Sequence, residues 1–77
     1  MLKFTAQAEE DLKRARLNGR VTLFNTNKGN AILSYRDGKY RIVELSSRLA
    51  NGDRLIHYLG RKAGAVEWLV SNYQEGV

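Results

Sequence analysis

Apolar positions along the chain repeat first with a helical period, then with the two-residue period of strands, then with a helical period again. Phe4, Ala8, Leu12 and Ala15 fall on one side of a helix that Thr5 is placed to cap and Asn18-Gly19 to stop. Glu9, Glu10 and Asp11 lie near the positive end of its dipole. Glu9 to Lys13 and Glu10 to Arg14 have the four-residue spacing of helical ion pairs, each adding about 0.2–0.5 kcal/mol. The apolar stripe is narrow, so this helix should lie on a surface and give the core few large side chains.

From Arg20 onward β-type residues take over. Val21-Thr22-Leu23-Phe24 predicts a strand, followed by the turn-rich Asn25-Thr26-Asn27-Lys28-Gly29-Asn30. Asp37-Gly38, between residues 31–36 and 39–43, is the clearest local signal, because this dipeptide readily takes the positive φ angles of a type I′ turn. A two-residue loop pairs Arg36 with Lys39, Tyr35 with Tyr40, Ser34 with Arg41 and Leu33 with Ile42. Alternation then puts Leu33, Tyr35, Tyr40 and Ile42 on a core face and Ser34, Arg36, Lys39 and Arg41 on the other. Like charges directly opposite each other cost stability, so the pairing of Arg36 with Lys39 does not serve to strengthen the sheet.

Asn51-Gly52 predicts a second hairpin that closes residues 41–50 on residues 53–60. A regular strand through that stretch would swap its apolar face midway, with Ile42 on the side of Glu44, Ser46 and Arg48. Either a bulge near residues 44–46 restores the facing or the strand ends there, and a break is the preferred reading. Residues 53–60 have the ends of a short helix, with Asp53 as cap and Gly60 as stop, but Ile56, Tyr58 and the hairpin signal favour a strand. Residues 63–74 form the closing helix. Its stripe of Ala63, Val66, Leu69, Val70 and Tyr73 should lie on the sheet's apolar face, with Trp68 nearly opposite. The expected fold is α+β: an N-terminal helix, an antiparallel β-meander of three to four strands, and a C-terminal helix packed on one sheet face, as a single small domain over residues 1–77.

Composition narrows what such a domain does. At 77 residues it hides about 60% of the surface its unfolded chain exposes, so stability must be modest. With no cysteine and one histidine, neither a disulfide nor a metal set is there to staple it, which leaves tight packing, self-association or a partner. The lack of cysteine and the charged segment after Met1 favour a cytoplasmic protein. No apolar run approaches the roughly 20 residues of a membrane span. No nucleophile is paired with a base, and there is no carboxylate dyad or phosphate-loop spacing, so neither an enzyme nor a cofactor is expected.

The net charge of +5 is concentrated in the middle of the chain, where residues 20–62 carry nine basic side chains against Asp37, Glu44 and Asp53. Such a region favours a polyanion or an acidic protein face, and equally serves as a solubilising surface. The first candidate site is the hairpin face of Arg36, Lys39 and Arg41, with Ser34, where cations on a rigid sheet can neutralise phosphates. Its alternative is a sheet face kept wet by charge. Tyr35 and Tyr40 fall on the core side, away from the stacking role that aromatics play in single-strand binders. The second candidate is Arg61-Lys62 between Gly60 and Gly64, where an anion can dock at the start of a helix, unless both side chains reach solvent or pair with Glu67. Trp68, the third, is either covered by the first helix, as the shortage of large apolar groups favours, or presented to a partner. His57 reads as an ordinary strand residue.

In size and architecture, the layout of helix, meander and closing helix resembles small phage and mobile-element proteins, including some anti-CRISPR inhibitors. That likeness assigns no residue a role. Two functions are expected from the residues themselves: a nucleic-acid-binding accessory domain contacting phosphates through Arg36, Lys39, Arg41, Arg61 and Lys62, or an inhibitor or adaptor that docks its basic face on an acidic groove of a larger complex. Homodimerisation through Trp68 or an exposed strand edge is a third.

Overall fold

A computed structural model describes residues 5–45 and 49–73. The elements are α1 (Thr5–Asn18), β1 (Arg20–Thr26), β2 (Gly29–Arg36), β3 (Lys39–Glu44), β4 (Ile56–Gly60) and α2 (Lys62–Asn72). The strands form one antiparallel meander in the order β1-β2-β3-β4, so the α+β expectation holds with four strands. Ala8, Leu12 and Ala15 of α1 and Ala65 and Leu69 of α2 share one core with Val21, Leu23, Ala31, Leu33, Tyr40 and Ile42. Both helices therefore pack on the same side of the sheet. Leu12, Leu33, Ile42 and Leu69 are the largest fully buried side chains, and burial of each contributes about 1.5–3 kcal/mol. Among the described residues no helix is long and apolar enough to cross a membrane.

The helix α1 ends where the sequence predicts. Gly19 takes φ +88°, and its N–H bonds to the Ala15 carbonyl at 2.7 Å. Its start is a correction: Thr5 is the first helical residue, not a cap, and its buried hydroxyl finds no partner among the described residues. The acids lie beyond the first turn; Glu9, expected to pair with Lys13, turns to the second helix instead, and Arg14, expected to pair with Glu10, lies nearest Asp11. Glu9 Oε1 meets Lys62 Nζ of α2 at 3.0 Å. Asp11 is only 3% exposed; it accepts hydrogen bonds from Gln7 Nε2 at 3.1 Å and from the Tyr73 hydroxyl, with Arg14 Nη1 3.8 Å away. Packing a second helix against α1 brings partners that the four-residue spacing rule does not see. Phe4, the first residue of the expected stripe, lies outside the described residues.

The central hairpin has the predicted register throughout, from the pair Arg36 and Lys39 to Leu33 and Ile42. Asp37 and Gly38 adopt φ +53° and +80°, as a type I′ turn requires. The first hairpin is tighter than its composition suggests. Thr26 pairs with Gly29, leaving Asn27-Lys28 as the turn, and the Thr26 hydroxyl accepts the Lys28 N–H at 3.2 Å and donates to the Gly29 carbonyl. Backbone pairing is indifferent to side-chain type, so it draws polar residues into both strands.

The strand β3 stops at Glu44, as the preferred break requires, while Ser46 and Arg48 fall outside the described residues. Residues 53–60 resolve as a strand only from Ile56 onward. The bulge lies in β4 and not near residues 44–46: pairing steps from Ile42 with Tyr58 to Val43 with Ile56, which makes His57 the extra residue. The expected stripe of α2 is rotated. Ala65, Leu69 and Tyr73 are buried, Ala63 is exposed, and Val66 and Val70 flank the contact. The small residues Gly64 and Ala65 let this helix lie close to β4, and that close approach sets its rotation.

Candidate functional site

Because both helices lie on one side, the other face of the sheet carries no helix; residues 49–54 border it at Val43, which is buried, and the register identifies what occupies the rest. Arg20 pairs with Ser34, Ser34 with Arg41, and Arg41 with Leu59, so these four residues form one row across the sheet. Thr22, Ile32, Val43 and Ile56 form the next row. Arg36 and Lys39 stand at the hairpin end. Arg61 continues β4 one extended step past Gly60, at φ −82° and ψ 170°, and alternation puts it on the side of Leu59 beside Lys39. Five cations, Arg20, Arg36, Lys39, Arg41 and Arg61, thus belong to one surface, and all are exposed. Strands stand about 4.8 Å apart, which puts Arg20 and Arg41 roughly 10 Å from each other at their backbones.

Little neutralises this charge. Among the described residues the one carboxylate within ion-pair distance is Asp37, with its Oδ2 3.8 Å from Arg36 Nε. Both side chains are almost fully exposed, so solvent screens that pair to near nothing. Ser34, Arg36, Lys39 and Arg41 border a shallow groove of about 530 Å³ together with Ile56 and Leu59. These two aliphatic side chains are 49% and 57% exposed. The bulge in β4 turns them outward: Tyr58 pairs with Ile42 of the core face and the His57 ring lies beside Trp68 of α2, so Ile56 and Leu59 take the helix-free side.

Two residues of this surface escaped the sequence reading. Arg20 precedes the first expected strand, and Phe24 lies at its end. Val21 and Leu23 are buried, so alternation turns Arg20 and Thr22 outward; Phe24 is the first residue of an irregular step between Leu23 and Thr26 and is 73% exposed. The alternation was present in the sequence, but which of its two phases faces the helices was not.

The structure brings Arg36, Lys39 and Arg41 together as predicted and splits the other basic pair. Lys62 lies in the helix layer, held by Glu9, whereas Arg61 stays with the sheet. The Arg61 carbonyl accepts the Tyr58 hydroxyl at 2.8 Å, which fixes the approach of the chain to α2. Trp68 is half-buried against the core, with its ring centroid 5.7 Å from that of His57, and His57 Nε2 in turn lies 3.1 Å from Glu44 Oε1. It joins α2 to the sheet and lies on the side opposite the basic surface. Compared with protein families, curated proteins and solved structures, the chain finds no match.

Proposed function

We propose that the protein is a non-catalytic binding module that holds the phosphate backbone of a nucleic acid against the helix-free face of its sheet. Arg20, Arg36, Lys39, Arg41 and Arg61 are the phosphate contacts. The observation that carries this reading is a set of five exposed cations, with the solvent-exposed Asp37 the one carboxylate near them among the described residues, on a surface that the packing of both helices leaves open. Cations held in fixed relative positions neutralise neighbouring phosphates and release condensed counterions, which supplies affinity without base recognition.

The test is a titration of labelled nucleic acids at two salt concentrations. Affinity should fall steeply with salt and depend little on base sequence. Arg36→Ala/Arg41→Ala should lower the slope of log affinity against log salt by about 1.5–2, close to one unit per lost phosphate contact. Both side chains are exposed, so the fold is not at stake. Absence of binding at low salt, or binding indifferent to salt, would sink the reading.

A second reading has its own observation. Ile56 and Leu59 add exposed aliphatic area beside the cations, and arginine next to apolar side chains suits a protein interface. In that case the partner is an acidic face of a larger nucleic-acid-processing complex, and the protein is its inhibitor or adaptor, of the kind that small phage and mobile-element proteins provide. Arg36→Glu/Arg41→Glu should then dissolve a stoichiometric complex, and a complex that survived would place the interface elsewhere. Self-association through this face is disfavoured, because it would set each cation against those of the second copy.

A further inference from the structure

We infer that the nucleic acid on this face is a single strand, with one base stacked on Phe24; the inference rests on the polyanion reading and narrows its ligand. Three observations carry it. Phe24 is a large aromatic side chain, 73% exposed, that follows the buried Leu23 and so leaves the regular part of β1 on the helix-free side, with the cations. Burying an aromatic ring is worth several kilocalories, so a ring left in water on a sheet face is a stacking surface waiting for a partner. It stands four residues along β1 from Arg20, about 13 Å at the rise of a strand, and the Arg36 and Lys39 pair lies about 7 Å further on. A track of roughly 20 Å therefore runs from an aromatic platform past one cation to two more, the combination by which sequence-tolerant single-strand binders hold bases and backbone together.

The third observation concerns the hairpin. A two-stranded ribbon reads duplex DNA by entering the major groove, which requires it to project from its surroundings. Here the flanking strands accompany the ribbon almost to its tip. Tyr35 N–H still bonds to the Gly19 carbonyl at 3.1 Å on one side, and Gly60 pairs with Tyr40 on the other. Only Arg36, Asp37, Gly38 and Lys39 extend further. A broad sheet with so short a tip offers a surface on which a strand can lie, and no wedge for a groove.

The experiment compares a labelled single-stranded oligonucleotide with the duplex of the same length, at two salt concentrations. It uses the wild type, Phe24→Ala, Phe24→Trp and Arg36→Ala/Arg41→Ala, each checked for unchanged circular dichroism and melting. The single strand should bind the wild type more tightly than the duplex. Phe24→Ala should cost about tenfold or more in single-strand affinity with no change of salt slope, leave the duplex untouched, and be rescued by Phe24→Trp. If salt-dependent binding persists but Phe24→Ala leaves single-strand affinity unchanged, or the duplex is preferred, the stacking inference is overturned and the polyanion reading stands. If neither nucleic acid binds at low salt, both are overturned.

Discussion

Gly64→Ala is expected to destabilise the protein by about 1 kcal/mol and to lower its melting temperature by about 5 °C. The sign is opposite to that of helix propensity, which favours alanine over glycine inside a helix by about 1 kcal/mol. The reason lies across the interface between α2 and β4. A Cβ on Gly64 would sit 2.6 Å from Tyr58 Cζ and 2.7 Å from Cε1, and one on Gly60 would sit 2.7 Å from Tyr58 Oη. The tyrosine ring fills the space that two glycines leave open. Swinging it aside would relieve the clash but would give up its 2.8 Å hydrogen bond to the Arg61 carbonyl and its packing on the core. Thermal melts of Gly64→Ala, Tyr58→Ala and the double variant decide the matter. In the Tyr58→Ala background the glycine replacement should become neutral or stabilising. A Gly64→Ala protein that melts higher than the wild type would show that α2 does not approach β4 this closely.

Tyr73→Phe is expected to cost about 1.5–3 kcal/mol, the worth of a hydrogen bond to a charged group. Its hydroxyl donates to Asp11 across 62 residues of sequence, in a site where both side chains are buried. Backbone contacts tie the same region to β1: Thr26 bridges to Tyr73, and Asn27 N–H bonds to the Asn72 carbonyl at 2.7 Å. The contact thus joins α1, β1 and the end of α2. Asp11→Ala should cost at least as much, because it leaves a buried phenol without its acceptor. The two losses should not add in the double variant, since each removes the same bond.

This pair also has a signature in pH. Burial, then the hydrogen bond to Asp11, then the Asp11 charge all push the Tyr73 phenol above its ordinary value near 10. The folded chain therefore keeps a proton that the unfolded chain releases. Stability from this group is complete below about pH 10 and is lost as pH rises beyond it. Urea midpoints of the wild type and Tyr73→Phe should accordingly keep a constant gap up to about pH 10 and converge between about pH 10 and pH 12, by about 1.4 kcal/mol of stability per pH unit. A constant gap over that interval would show that the phenol is not the group being titrated. Neither Gly64 nor Tyr73 belongs to the basic surface, so below their melting points these variants should bind nucleic acid as the wild type does. That separates damage to the fold from damage to the proposed interface.

Within the candidate surface, the cations of the hairpin were legible and its neighbours were not. Arg36, Lys39 and Arg41 were placed correctly because Asp37-Gly38 sets a register, and register with alternation assigns every side chain of two strands to a face. Arg20 and Phe24 needed the pairing of β1 with β2 and the burial of Val21 and Leu23 before their face was defined. Arg61 and Lys62 are adjacent in sequence, yet an extended step followed by a helical one sends them to different layers.

The sequence by itself determined the two helices, the end of α1 at Gly19, the central hairpin with its register, and the basic character of one hairpin face. Each of these rests on turn chemistry or periodicity within a few residues, where sterics of the backbone leave a small number of outcomes. Tertiary structure alone decided the burial of Asp11 on Tyr73, the pairing of Glu9 with Lys62, the bulge at His57 and the rotation of α2 over Gly64. These depend on which surfaces meet. Close packing lets a glycine admit a ring, and a buried carboxylate must find its donors wherever the fold brings them.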